Sequence, residues 1–287
     1  MNYEGKYLNP LVIFAFKKMF ATDASKGLLI AFLNSVFEGQ RRVADLVYVG
    51  DKHQGKGLSN GEFLLDLLCT DDEGNEFDVE LQLGRHPNFK ERAIFHAFRL
   101  IHEQRFDKPD IDIAVAQLRP IYVIAFLEDG SAGLLPDEYK HDITMCGEDG
   151  AAIPEMALKI IIIELPKFIK TDGELETELD RWLYAFKNMG NIDALPVSMH
   201  QDVFKTLFSI AERSRLSDEE GIAYDSSLKY KLAYDLVVDL ELKKKHRRSR
   251  KEEFLVFRCT QINGMPKGQA GETHEYVIGP LRKRKGH

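Results

Sequence analysis

The segment 62–83, EFLLDLLCTDDEGNEFDVELQL, carries the side chains best suited to chemistry. Asp66 lies within the apolar run LLDLL, and Glu80 lies within VELQL with Gln82 two residues further on. An ionised carboxylate among leucines is strongly unfavourable unless a cation, a metal or several hydrogen bonds compensate. Because TDDEGNE between the two runs is typical of a hairpin connection, the strands are predicted to be antiparallel neighbours. Both carboxylates would then meet at one point of the sheet, which suits a divalent metal.

A second interpretation of these acids needs no chemistry. Asp78, Glu80 and Gln82 alternate with apolar residues, so a solvated polar face of the second strand accounts for them. Asp66 fits that interpretation less well, because leucines lie on both faces of its strand and indicate a central, covered strand. A structural protein in which Asp66 and Glu80 pair with arginines therefore stays open beside the metal site.

The composition narrows the class of protein. The chain has 287 residues, 44% of them hydrophobic, which is enough for one large core or two modest ones. Its net charge of −7 excludes a generally basic protein, so any nucleic-acid contact must come from a local patch. Three widely spaced cysteines favour a reducing cytoplasm over a disulfide framework. The N-terminal apolar stretch is short and interrupted by lysines, so no signal peptide or membrane span is expected.

The order of periodic segments predicts an α/β fold with a mixed sheet. Helical spacing covers 10–20, 26–38 and about 88–105, and apolar runs predict strands at 43–51, in the two arms of the hairpin, at 119–129 and at 156–168. From about 172 the pattern is helical only, which predicts a C-terminal annex. The basic run KKKHRRSRK is either a solvated helix end or a phosphate-contacting patch, and the residues after it are expected to be poorly ordered.

Several segments in a fixed order resemble a known family. They are FAFKKMFAT, LLIAFLNSVF, the hairpin EGNEFDVELQ, FKERAIFHA, ELPKF and RWLYAFKN. Together they resemble the recombination-promoting nuclease (Rpn) family of transposase-related proteins, which belongs to the PD-(D/E)XK nuclease superfamily. The resemblance spans roughly residues 8–242. It implies a restriction-endonuclease-like core with a mixed β-sheet flanked by helices, divided into a nuclease-like domain (8–170), a helical annex (171–245) and a basic tail (246–287).

The resemblance also assigns roles to individual residues. The superfamily aspartate corresponds to Asp66, and the E-x-K element corresponds to Glu80, Leu81 and Gln82, with glutamine in place of lysine. Asp66 and Glu80 would hold Mg²⁺ or, in its place, Mn²⁺, and the main-chain carbonyl of Val79 or Leu81 would be a further ligand. Gln82 would orient the attacking water. Further residues would act on the phosphates of DNA: Lys17 by neutralising charge, and Lys90 and Arg92 by direct contact.

Two alternatives accompany these roles. Lys17 is equally well a surface lysine of an amphipathic helix, and Arg92 is equally well the partner of an acid. The family pattern has an aspartate where this chain has Ile13, which favours a degenerate nuclease fold that binds nucleic acid or protein without cutting. The main expectation is a cytoplasmic, Mg²⁺-dependent DNA endonuclease of low sequence specificity, linked to recombination or transposition, with no membrane partner and with a homodimer as an open question.

Overall fold

A six-stranded mixed sheet organises the chain. The computed structural model describes residues 5–48, 63–84, 89–104, 118–128, 137–144 and 158–263, and only their backbone at 63–66, 76, 78, 80–82, 89–90, 242 and 245–263. The strands lie in the order β1-β2-β3-β4-β6-β5. Strands β1, β2 and β3 are antiparallel neighbours, β3, β4 and β6 are parallel, and β5 pairs antiparallel with β6 at the edge. The strands are β1 (Val43–Tyr48), β2 (Phe63–Asp71), β3 (Glu76–Gly84), β4 (Ile121–Leu127), β5 (Lys140–Thr144) and β6 (Leu158–Glu164).

Six α-helices accompany the sheet in the described ranges. Three lie in the N-terminal part of the chain and three follow the last strand, where α4 begins with a capping box formed by Thr177 and Asp180. They are α1 (Ile13–Phe20), α2 (Lys26–Phe37), α3 (Phe89–Glu103), α4 (Glu178–Asn188), α5 (Asp202–Ala211) and α6 (Asp218–Asn263). None of these helices is long and apolar enough to cross a membrane.

The turn between β2 and β3 fixes the register of the hairpin. Asp71 accepts hydrogen bonds from the backbone N–H groups of Glu73 (3.1 Å) and Asn75 (2.8 Å), and Gly74 adopts a φ of 83° that favours glycine. Arg41 pairs with the other oxygen of Asp71 at 2.7 Å. This local network confirms the hairpin predicted from TDDEGNE and sets which residues of the two strands face each other.

Each face of the sheet is covered by a different set of helices. The first core contains Leu67, Val79, Ile124 and Phe126 of the sheet together with buried residues of α1, α2, α4 and α5. The second core contains Val123, Ala125, Ile160 and Ile162 together with Ala93, Ala97 and Leu100 of α3. Strand β4 contributes alternate residues to both cores, as expected of a central parallel strand.

The helices that follow β6 share the first core instead of forming their own. The ring of Phe186 on α4 lies 5.6 Å from that of Phe20 on α1, 5.3 Å from Phe32 on α2 and 5.3 Å from Phe126 on β4, measured between centroids. Contacts divide the chain into two units, Met1–Asp239 and a second unit that begins at Leu240. The helices of the predicted annex up to Asp239 are therefore part of one unit with the sheet.

The predicted fold class is confirmed, with two additions. Strand β5 is absent from the sequence prediction, and α6 continues as a helix to Asn263, into the predicted tail. Residues 264–287 lie outside the described part of the chain. The division into a nuclease-like domain (8–170), a helical annex (171–245) and a basic tail (246–287) stays a prediction.

Candidate functional site

The register of the hairpin places Asp66 and Glu80 directly opposite each other. Directly opposed residues of an antiparallel pair occupy the same face of the sheet, with Cβ atoms about 5 Å apart. On the other side of β3, Glu80 pairs with Val123 and Gln82 pairs with Ala125 of β4. Since Val123 and Ala125 belong to the second core, positions 66, 80 and 82 lie on the face of the sheet that α3 covers.

The position of Leu81 bears on its predicted role as a ligand. The backbone pairs Leu81 with Leu65 of β2 and with Ile124 of β4, so β3 has a neighbour on each side at this point. Ladder hydrogen bonds therefore use the backbone groups of Leu81. A carbonyl oxygen has two lone pairs, so a metal contact would have to use the second one.

The open end of the hairpin adjoins residues 230–235 of α6. A small cavity of about 20 Å³ lies next to the end of β3. Three parts of the chain line it: Leu11 and Ile13 at the start of α1, Leu83 and Gly84 at the end of β3, and Tyr230, Lys231, Tyr234 and Asp235 of α6. Ile13, which stands where the family pattern has an aspartate, therefore lies beside the strand that carries Glu80. The sequence alone gave no indication that α6 reaches this place.

A buried ion cluster ties α6 to the end of β4 in the same region. The ammonium group of Lys231 donates hydrogen bonds to Glu128, which follows β4, and to Asp235 at 3.2 Å. The side chains of Lys231, Glu128 and Asp235 are only 12%, 12% and 19% exposed. Burial acts to lower the pKa of Lys231, but the two carboxylates outweigh it and raise the pKa above its ordinary value. The i, i+4 spacing of Lys231 and Asp235 was the only sequence signal for this cluster.

Arg92 lies on α3 at the border of this region. Its side chain is partly buried, and burial lowers the pKa of its guanidinium while Tyr234 of α6 acts in the opposite direction. Lys90 lies in the first turn of the same helix, where the backbone alone is described. Helix α3 packs on β4 on the face that holds positions 66 and 80. Both residues therefore belong to an element that borders the predicted metal site, and their contact with phosphate stays a prediction.

Lys17 is a residue of α1. It lines a groove together with Lys18, Arg215 and Glu220, and none of the described lining residues of this groove belongs to the sheet. The buried face of α1, including Phe16 and Phe20, packs in the first core, on the face of the sheet opposite to positions 66 and 80. The backbone register thus brings positions 66 and 80 together. The catalytic role of Lys17 stays a prediction.

Glu164, a further acid within an apolar strand, has a structural explanation. It is fully buried at the end of β6, and its Oε1 accepts a hydrogen bond from Lys167 at 2.7 Å and contacts Nε2 of His141 at 2.9 Å. The ion pair with Lys167 accounts for the charge of Glu164. This acid is therefore bound to its own neighbours and lies outside the candidate site.

The residue types at positions 66, 80 and 82 fit a hard divalent cation. Two carboxylates and one amide offer oxygen ligands, which Mg²⁺ prefers in proteins. Positions 66 and 80 are directly opposed on one face of the sheet. Where the structure describes side chains, no group of three or more His, Cys, Asp or Glu residues comes together to hold a metal.

Comparison with known proteins agrees with this architecture. The family model of the PD-(D/E)XK nuclease family transposases matches residues 10–241, which include both strands of the hairpin, α3 and the first part of α6. No match was found among curated proteins or among solved structures. Because the match covers most of the chain and both candidate carboxylates, the protein belongs to the PD-(D/E)XK nuclease family transposases.

Proposed function

We propose that this protein is a metal-dependent DNA endonuclease that hydrolyses phosphodiester bonds with low sequence specificity. The observation that carries the proposal is the direct pairing of Asp66 with Glu80 on one face of the sheet, within a chain that matches a nuclease family over residues 10–241. The family name supports a link to transposition or recombination, which is part of the proposal.

Each residue of the site has a distinct role. Asp66 and Glu80 would hold Mg²⁺ or Mn²⁺, with the Leu81 carbonyl as a further ligand. The bound ion would supply a Lewis acid that polarises the phosphate and lowers the pKa of an attacking water. The amide of Gln82, on the same face two residues beyond Glu80, can accept a hydrogen bond from that water or donate one to a phosphate oxygen.

Gln82 is neutral, so positive charge must come from another element. Helix α3, which covers this face of the sheet, carries Lys90 and Arg92 in its first turns. They would contact phosphate oxygens and stabilise the charge that develops there. Contacts with phosphates position DNA without specifying its sequence, so binding is expected to weaken steeply as salt rises.

A second candidate function is DNA or protein binding without cleavage. Its support is Ile13, an apolar side chain that lines the cavity at the end of β3 where the family pattern has an acid. A site that lacks this acid has one ligand fewer for a metal or a water molecule. On this proposal Asp66 and Glu80 would remain as relics of an ancestral metal site.

Cleavage of supercoiled plasmid separates the two candidates. The purified protein is incubated with Mg²⁺, Mn²⁺, Ca²⁺ or EDTA, beside Asp66→Asn and the control Asp72→Asn, whose carboxylate lies in the hairpin turn with a side chain 45% exposed. The endonuclease proposal expects nicking with Mg²⁺ or Mn²⁺, none in EDTA, and loss of nicking in Asp66→Asn only. A folded protein that binds the plasmid but never nicks it, with any of these metals, would support the binding module.

A further inference from the structure

A groove on α1 has the properties of a second binding site. Its volume is about 630 Å³, within the range of roughly 300–1,000 Å³ that ligand sites occupy. Five segments of the first unit form it: α1, the turn after α1, the end of α5, the loop at Arg215 and the start of α6. The lining residues are Phe14, Lys17, Lys18, Ala21, Thr22, Ala24, Ser209, Ile210, Arg215 and Glu220.

The charge of the groove is opposite to that of the protein. Three of its lining residues are cationic and one is a carboxylate, whereas the whole chain has a net charge of −7. Lys18 donates to Glu220 at 2.5 Å, and Arg215 pairs with Glu212 at 3.1 Å. The Arg215 side chain is 61% exposed, and such solvent-exposed ion pairs are weak. A phosphate can therefore compete with Glu212 for Arg215.

The floor of the groove is apolar and contains an aromatic ring. Phe14, Ala21 and Ile210 form it, and the ring of Phe14 is held edge-on against Tyr224 with centroids 6.2 Å apart. The Phe14 backbone N–H donates to the hydroxyl of Ser227 on α6 at 3.3 Å, which ties α1 to α6 beside the groove. A fixed aromatic ring next to cations is the combination on which unpaired nucleobases stack while the phosphates are neutralised.

We propose that this groove binds single-stranded nucleic acid, with a base against Phe14 and Ile210 and the adjacent phosphates on Lys17 and Arg215. None of the described lining residues of the groove belongs to the sheet, and the buried residues of α1 pack on the face of the sheet opposite to positions 66 and 80. The groove would thus bind nucleic acid in addition to the cleavage site proposed above. An acidic peptide would use the same cations but would gain nothing specific from the ring.

Fluorescence anisotropy of a labelled oligothymidylate of about 12 nucleotides tests the proposal. The titration is made in EDTA, so the result is independent of the metal site and of cleavage. Phe14→Leu and Arg215→Gln are compared with the control Lys205→Gln, whose side chain is 56% exposed on α5 and does not line the groove. Thermal unfolding of each variant verifies that it is folded.

We expect Phe14→Leu to weaken binding about tenfold through lost stacking, and the control to bind like the wild type. Arg215→Gln should weaken binding and lower the slope of log affinity against log salt by about 0.7, which corresponds to one phosphate contact. Equal binding by all variants would overturn the site. If Arg215→Gln alone loses affinity and Phe14→Leu binds normally, the groove takes an anion without a base, and the nucleic-acid assignment is wrong.

Discussion

Replacement of Lys231 by methionine removes a cation that contacts two carboxylates in the buried cluster at the end of β4. Lys231 contacts both Glu128 and Asp235, and none of the three side chains is more than 19% exposed. Methionine retains most of the length of the lysine stem, so the substitution changes charge far more than volume. The cluster connects α6 to the sheet, so its loss is expected to lower the stability of the first unit.

The magnitude follows from the geometry. The ammonium bridges the two carboxylates, which therefore lie no more than about 6 Å apart, and at an effective dielectric constant of about 20 their repulsion is about 3 kcal/mol. Removing one partner of a buried ion pair typically costs about 3–5 kcal/mol. We expect Lys231→Met to lower the free energy of unfolding by about 3 kcal/mol at neutral pH.

The loss should also depend on pH in a defined direction. In the variant, protonation of either carboxylate removes the repulsion between them, so the deficit in stability is expected to shrink as pH falls toward about 5. In the wild type the pKa of Lys231 is raised, so its contribution is fully present below its unfolded pKa and is lost only as pH rises through the folded value. Between weakly acidic and neutral pH the wild-type contribution is therefore constant.

Urea unfolding at several pH values measures this effect. Lys229→Met, an exposed lysine on the same helix, is the control and should change stability little. The double variant Lys231→Met/Glu128→Gln should recover much of the loss, because it removes one of the two negative charges that repel each other. A deficit below about 1 kcal/mol, or one that does not change with pH, would refute the reasoning.

Two further predictions concern the first core and its border. Asp180 is fully buried and accepts hydrogen bonds from Tyr139 (3.0 Å), Lys170 (2.8 Å) and the backbone N–H groups of Glu176 and Thr177. Asp180→Asn should therefore lower the free energy of unfolding by about 2–3 kcal/mol. Glu178→Gln, in the same turn of α4, serves as the control. Burial acts to raise the pKa of Asp180, but these donors outweigh it and hold the pKa below its ordinary value. The contribution of Asp180 to stability is therefore present above its unfolded pKa and is lost as pH falls through the folded pKa. Urea denaturation at graded acid pH should show the unfolding free energies of the variant and the wild type converging. Phe186→Ala should lower the free energy of unfolding by about 3–5 kcal/mol. Unfolding should remain a single transition, because α4 shares its core with α1, α2 and β4. Two separate transitions in urea would show that the helices after β6 fold independently.

Local signals made the pairing of Asp66 with Glu80 predictable. The turn residues Asp71 and Gly74 and the alternation in β3 set the hairpin, and a hairpin of fixed loop length leaves one register. The continuous apolar runs of β4 and β6 likewise predicted buried strands. In each case neighbouring residues carry enough information to determine the structure.

Other features depend on contacts between distant parts of the chain. Strand β5 was not predicted because only His141 of its five residues is buried, so KHDIT has no strand pattern. The groove around Lys17 forms where α1 meets the end of α5 and the start of α6. Lys231 pairs with Glu128, which follows β4 and is far from Lys231 in the sequence. Helical spacing identifies the exposed and buried sides of α1 and α6, but it does not determine which element packs against them.

Single-turnover cleavage of DNA with Mg²⁺, by the wild type, Asp66→Asn, Glu80→Gln and the double variant, tests most directly whether the paired carboxylates form one metal site. Two ligands of the same ion act as a unit, so each single variant should lose at least about 10³-fold in rate and the double variant should lose little more. If the rate loss of the double variant equals the product of two smaller losses in the single variants, the two residues act independently. Cleavage at the wild-type rate by either single variant would contradict a metal site built from Asp66 and Glu80.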